Sequence, residues 1–296
     1  MSRSRRKTHL FLVVSIPLLI LTGVFFCLNP DRWYLWTTGF GKEKIQIEQS
    51  TDRLQEMSLE EMEQDERFTF DQSMMLINTE YMLTEDFVAD TAIYRDSGVR
   101  MNTCILTAFG ELSAAVTEEC GEKLLISSGI RDRKRQAELY AQDPETATIP
   151  GASEHETGLC MDVYVPYFSG DSFLKAEAGR FVNSHCHEYG FIIRYPFHGE
   201  EITGIRFEPW HIRYVGQPHA DIIYSNGLTL EEYINSLEEG ICYETEGYFI
   251  IRQRPENGKF SVPADCDSYI VSPDNTGCYV ITGQKKFGKI LYLETI

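Results

Sequence analysis

A chain of 296 residues exceeds a typical single domain, and a composition of 43% hydrophobic and 12% aromatic residues builds a core and excludes a disordered chain. Asp and Glu outnumber Lys and Arg by 45 to 27, a net charge of -18, and such a surface repels a phosphate backbone, so no nucleic acid is expected as partner. The eight cysteines include no C-x-x-C pair, which argues against a structural zinc ribbon. An even count permits disulfides in an exported chain, with Cys242, Cys266 and Cys278 best placed to pair, although scattered cysteines serve equally well as small buried hydrophobes.

Residues 1–9 form a basic tail, with Arg3, Arg5, Arg6 and Lys7. Leu10 to Leu28 carries no charge, and as a helix it would reach roughly 28 Å, close to the hydrocarbon thickness of a bilayer. The positive-inside rule then keeps 1–9 in the cytoplasm, makes 10–28 a single-pass transmembrane anchor and places the rest outside the cell membrane. A cleaved signal peptide is the competing reading, but the run is long for its apolar region and Val24, Phe25 and Phe26 leave no small-residue cleavage site.

Residues 29–70 read as a juxtamembrane spacer, first aromatic (Trp33, Tyr34, Trp36), then acidic (Glu56, Glu60, Glu61, Glu63, Asp65, Glu66). Leu54, Met57 and Met62 have helix-compatible spacing, so a short amphipathic helix and a solvated stalk both fit. Residues 71–237 hold the denser pattern. Leu106, Phe109, Leu112 and Val116 space a helix, Lys123 to Ser127 a strand, Asp132 to Tyr140 a helix, Leu159 to Tyr164 a strand, and Ala176 to Tyr189 a helix capped by Gly190. Phe191 to Tyr195 and Gly204 to Phe207 read as further strands, and this mixed order predicts an α+β fold: a small mixed or antiparallel sheet with helices around the site. Residues 238–296 read as a small β-rich appendage, with strands near 248–251, 269–271, 279–281 and 290–293 and turn formers at Asn257-Gly258 and Asp274 to Gly277.

Three stretches carry chemistry. In Ser153-Glu-His-Glu-Thr-Gly-Leu-Cys-Met-Asp162, Gly158 permits a tight turn that lets His155 and Asp162 converge. Arg206-Phe-Glu-Pro-Trp-His211 adds a second imidazole with a carboxylate three residues earlier. Two His and one Asp suit tetrahedral Zn²⁺ and leave a fourth position for water, while Glu208 supplies a general base. Ser127-Ser-Gly-Ile-Arg131 ends a strand with a guanidinium for an oxyanion or a substrate carboxylate, and Gln136 follows on the next helix.

Together these stretches resemble the S-G-x-R, S-x-H-x-x-G-x-A-x-D and E-x-x-H motifs of the VanY-type D-alanyl-D-alanine carboxypeptidases, a zinc family that also includes VanX-type dipeptidases and L,D-carboxypeptidases. The likeness runs from about Met74 to Tyr233 and takes in Tyr189 to Pro196 and Glu208 to Gly216. It implies His155, Asp162 and His211 as zinc ligands, Glu208 as catalytic base, Arg131 as transition-state stabiliser and Ser153 as a substrate contact. Gln136 and Trp210 are added as substrate-binding candidates, Trp210 as a wall of the site. One departure is Cys160, where the family usually has Ala, and its side chain is expected to face the core. His185, His187, His198 and His219 lack the carboxylate spacing and are expected to be structural, and Arg133 and Arg135 to lie on a solvated helix face.

The expected activity is hydrolysis of the terminal D-Ala-D-Ala bond of peptidoglycan precursors or stem peptides, which lowers cross-linking or removes the target of glycopeptide antibiotics. The alternatives are an L,D-carboxypeptidase or endopeptidase of the wall, and a catalytically silent wall-binding module.

Overall fold

The computed structural model describes residues 22–38, 42–95, 97–144 and 147–286. The expected basic tail, most of the expected anchor over 10–28, and the expected strand at 290–293 lie outside the described residues. Residues 22–28 are helical and a second helix spans Pro30–Thr37; among the described residues no helix is long and apolar enough to cross a membrane.

The central sheet is built from four short antiparallel strands in the order Leu125–Ser128, Cys160–Tyr164, His211–Tyr214, Phe191–Ile193. Along Cys160–Tyr164 the pleat alternates, so Met161 and Val163 enter the core while Cys160 and Asp162 share the other face. The Leu106–Cys120 helix buries Phe109, Leu112 and Val116 at helical spacing against that core, and Gly121 ends it in the left-handed conformation. Each such apolar side chain contributes about 1.5–3 kcal/mol on burial. The Arg133–Gln142 helix starts on Asp132, whose carboxylate accepts from Arg135 N at 2.7 Å, and buries only Gln136. The expected 176–189 helix is split into Glu177–His185 and a 3-10 turn over Cys186–Tyr189, which Gly190 terminates.

Gly204 to Phe207 is not a strand. A four-residue helix, Glu200–Thr203, is closed by Gly204 at φ +71, and the residues that follow join no strand before Glu208 N donates to Tyr195 O at 3.0 Å. The segment is thus spent on bringing Glu208 to the edge of the sheet.

The C-terminal unit is a six-stranded sheet in the order Glu48–Gln49, Cys242–Thr245, Tyr248–Gln253, Tyr279–Lys285, Cys266–Pro273, Phe68–Phe70, with only the last pair parallel. Asn257 and Gly258 both take positive φ in a tight turn bridged antiparallel by Glu256 and Lys259, and Asn275 and Gly277 take positive φ between the two longest strands. The 29–70 stretch is no free spacer. Leu54–Ser58 pairs with Lys259–Pro263, Glu48–Gln49 and Phe68–Phe70 add to the six-stranded sheet, and the Leu59–Gln64 helix buries Met62 completely. Apolar residues at 57, 62 and 68 find their partners among strands nearly 200 residues later, a pairing that helical spacing within the stretch cannot disclose.

The C-terminal unit is also tied to the part built around the four-stranded sheet. Met74 N donates to Ser272 Oγ at 2.9 Å, Asn275 Nδ2 to Leu76 O and Tyr81 O, and His219 Nε2 lies 2.8 Å from Thr282 Oγ1. All eight cysteines are free, so the pairing expected among Cys242, Cys266 and Cys278 does not occur.

Candidate active site

Asp162 and His211 are cross-strand partners on adjacent strands, which delivers a carboxylate and an imidazole to one face of the sheet. His155 arrives from a 3-10 turn over Glu154–Thr157 that ends at Gly158. Gly158 has φ +70 and a Cβ there would stand 2.9 Å from Asn102 N, so the turn that aims His155 needs glycine. His155 Nδ1 lies 2.7 Å from the Gly129 carbonyl and donates to it, which directs Nε2 to Asp162 Oδ2 at 3.4 Å. His211 Nδ1 lies 3.0 Å from Asp162 Oδ1 and 3.8 Å from Glu208 Oε2.

Ligand atoms held about 2.0–2.2 Å from a tetrahedral ion stand roughly 3.3–3.6 Å from one another. The gaps of 3.0 and 3.4 Å between Asp162 and the two imidazoles are close to that spacing, so His155, Asp162 and His211 fit a divalent metal. The electrostatics agree. Burial opposes a proton on His155, but Cys160 and Asp162 outweigh it and lift the pKa to about 9. His211 is raised in the same way, while the two imidazoles hold Asp162 far below the usual carboxylate range against its burial. The pocket is built to hold positive charge. Glu208 differs: burial pushes its pKa up, as suits a group that must exchange a proton.

Every residue expected at the site lines one cavity of about 150 Å³: Arg131, Gln136, Ser153, His155, Asp162, Glu208, Trp210 and His211. Arg131 Nε is buried and has no hydrogen-bond partner. Gln136 Nε2 donates to Thr148 O at 2.6 Å, leaving Oε1 buried and unpaired, so this residue offers an acceptor suited to a substrate N–H. Ser153 precedes the 3-10 turn without capping it and lines the cavity. Trp210 forms a wall and carries the Arg206 guanidinium 5.3 Å above its ring.

Sequence reasoning missed a layer behind these residues. Glu154, completely buried, accepts from Arg194 Nε at 2.8 Å and from Arg213 Nη1, and these guanidinium groups overcome the effect of burial to keep its carboxylate ionised. Its other oxygen is 3.9 Å from His211 Nε2, and neither atom has a hydrogen-bond partner. Arg194 also grips Glu231 through two nitrogens, and Arg213 Nη2 donates to Ser73 O and Met75 O. The available signal was an Arg directly after one buried short strand and inside another, Phe-Ile-Ile-Arg194 and His-Ile-Arg213, each of which needs a buried anion. Tyr195 also lines the cavity, its ring 4.9 Å from that of His211.

Two further expectations change. Cys160 does not face the core: it shares the face of Asp162, and the pleat alternation that sends Met161 inward requires this. Arg133 is not simply solvated, since its Nε pairs with Glu156 at 3.0 Å and its Nη2 holds Leu83 O. Arg135 does lie exposed, paired with Glu138. His187 pairs with Asp221, His219 is buried against Tyr233 and Thr282, and His185 bonds Phe181 O; none of the three lines the cavity.

Two imidazoles and a carboxylate around one point, with a second carboxylate at hand and a guanidinium in the same small cavity, define a metal-dependent hydrolase. The family model described as D-alanyl-D-alanine carboxypeptidase, VanY, matches residues 98–217, and the chain belongs to this family. A D-alanyl-D-alanine carboxypeptidase of Enterococcus faecium is 31% identical over 225 residues, 68% of this chain and 72% of that protein. The vancomycin-resistance D,D-dipeptidase VanXYg, solved with a D-Ala-D-Ala phosphinate analogue, is similar over 80% of this chain and 100% of its own, at TM-score 0.62 and 25% identity. The vancomycin-resistance D,D-pentapeptidase VanY of a VanB-type cassette, solved as a mutant with Zn(II), matches 56% of this chain and 100% of its own, at TM-score 0.50 and 28% identity.

Proposed function

We propose that this chain is a zinc D,D-carboxypeptidase that hydrolyses the terminal D-Ala-D-Ala bond of peptidoglycan precursors or stem peptides. The observation that carries the reading is the convergence of three ligands, a base and a guanidinium on a single cavity. Relatives acting on or binding D-Ala-D-Ala support the substrate, and the Zn(II) bound by one of them supports the metal.

Bound zinc would polarise the scissile carbonyl and make water acidic enough to act as nucleophile near neutral pH. The chain's residues do the rest. Glu208 accepts the proton of the attacking water and passes it to the leaving amine of the terminal D-Ala. Arg131, whose Nε has no competing partner, donates to the oxyanion as the carbonyl carbon becomes tetrahedral. Ser153 donates to the substrate carboxylate, Gln136 Oε1 accepts from a substrate N–H, and Trp210 with Tyr195 walls off bulk water.

Anchorage in the cell membrane through residues 10–28, with the catalytic part outside, is supported by the basic residues before that run. The aromatic cluster that follows adds to it, with the Phe26 ring 5.0 Å from Trp33 and 6.0 Å from Trp36. From that position, removal of the terminal D-Ala would deny glycopeptide antibiotics their target. Detergent-solubilised full-length chain should release D-alanine from a pentapeptide ending in D-Ala-D-Ala and stop when chelated. Release from tetrapeptides alone would sink the D,D assignment, and survival of the catalytic part in protease-treated spheroplasts would sink the external location.

A further inference from the structure

Two buried polar atoms without a hydrogen-bond partner face each other across 3.9 Å: Oε2 of Glu154 and Nε2 of His211. Neither can turn to water, because Glu154 is 1% and His211 4% exposed. Leaving a carboxylate oxygen and an imidazole nitrogen both buried and unpaired is costly, so closing the pair is favourable. An approach of about 1 Å brings them to the usual N–H···O distance. Glu154 is placed to receive that bond. Its Oε1 is occupied by Arg194 Nε at 2.8 Å and by Arg213 Nη1, which leaves Oε2 to accept from elsewhere. Both guanidinium groups are held in turn, Arg194 by Glu231 and Arg213 by Ser73 O and Met75 O, so the carboxylate is fixed from behind.

We propose that Glu154 is a positioning residue for His211: Oε2 accepts from Nε2–H, which fixes the ring tautomer and turns the Nδ1 lone pair toward Asp162, where the metal would be held. His211 Nδ1 already lies 3.0 Å from Asp162 Oδ1 and 3.8 Å from Glu208 Oε2. His155 meets the same need differently, since Gly129 O holds its Nδ1 and leaves Nε2 to face Asp162. One imidazole is thus fixed by a neutral carbonyl and the other by a carboxylate. The carboxylate also makes the opposite ring nitrogen a stronger donor to a cation. Cys160 is the competing partner, its sulfur within 4.8 Å of a ring nitrogen of His211, but a thiol accepts weakly.

This inference rests on the metal-peptidase reading, and zinc binding separates the two. Full-length chain in detergent, with isotope-labelled histidine rings and loaded with Zn²⁺, is followed by proton–nitrogen NMR, and its zinc affinity is measured against a chromophoric chelator. His211, assigned by the loss of its signals in His211→Gln, should carry a slowly exchanging, downfield proton on Nε2. Glu154→Gln keeps the side-chain shape and offers an amide N–H in place of Oε2. The proton should then move upfield or vanish, and zinc binding should weaken roughly 10- to 100-fold. Glu231→Gln takes a carboxylate from Arg194 without facing His211, so it should keep the proton and bind zinc as the parent does. Cys160→Ala should keep the proton as well.

A parent with no proton on His211 Nε2, or a proton unmoved by Glu154→Gln, overturns the positioning role and leaves the peptidase reading intact. Equal weakening of zinc binding by Glu231→Gln also overturns it, because Glu154 would then act only as a counter-ion within the fold. Should Glu154→Gln fail to fold, the parent and Cys160→Ala decide, and loss of the proton in Cys160→Ala makes sulfur the acceptor. A parent that binds no zinc overturns both.

Discussion

Two histidines show how differently the two halves of the molecule use burial. His211 in the cavity and His219 beside the C-terminal sheet are 4% and 3% exposed, so solvent access does not separate them. Against its burial, His211 faces Cys160, Asp162 and Glu154, which hold its pKa well above the ordinary value. Among the described residues His219 bonds the hydroxyls of Tyr233 and Thr282, at 2.6 and 2.8 Å, and burial drives its pKa down to about 3. Burial with anions makes a cation site, whereas burial with neutral partners makes a hydrogen-bonded clamp.

The sharpest way to break the contrast is at the cavity. Glu208→Ala should lower turnover by roughly 100- to 10,000-fold, because the proposed base is lost while the three proposed ligands remain. Metal content measured alongside should stay at the parent level, and its loss would move Glu208 from base to ligand. Arg131→Ala should follow with a fall in kcat of roughly 100-fold or more and metal content unchanged, since the proposed role of its guanidinium is to meet charge that develops only in the transition state. A rise in KM with kcat intact would make Arg131 a binder of the substrate carboxylate instead.

The smaller effect is at the clamp. Because folding lowers the pKa of His219 from the ordinary 6.5 to about 3, the unfolded chain takes up a proton below pH 6.5 that the folded chain refuses. Its contribution to stability is therefore complete above pH 6.5 and is lost as pH falls toward 3, at about 1.4 kcal/mol per pH unit. His219→Gln keeps a hydrogen-bonding group that does not titrate, so denaturant unfolding at pH 7 and pH 5 should show a shallower loss in the variant. Equal losses in the two proteins would mean that His219 is not held neutral.

Much of the local structure was legible because its cues are local. The helix over Leu106–Cys120 follows from apolar residues at 109, 112 and 116, the tight turn from Asn257-Gly258, and the hairpin from Asp274 to Gly277. Cues failed where the partner is remote. Leu54 to Phe70 looked like a spacer because the strands it joins are near 260 and 270, and Gly204 to Phe207 looked like a strand although it finds no strand to pair with. Cys160 was misplaced for a related reason: its face is settled by strand phase, not by its affinity for a core.

The amino-acid sequence by itself determined the chemical inventory of the site. Two imidazoles, two carboxylates and a guanidinium sit in three short motifs whose spacing local turns can close, and all of them line the cavity. Only the tertiary structure decided what stands behind and beneath them. Glu154 meets Arg194 and Arg213 across 40 and 59 residues of chain, and Cys160 reaches the face of the ligands through the pairing of Asp162 with His211. Contacts of that kind depend on sheet register, which is set by how separate strands pack together and has no period within any one of them.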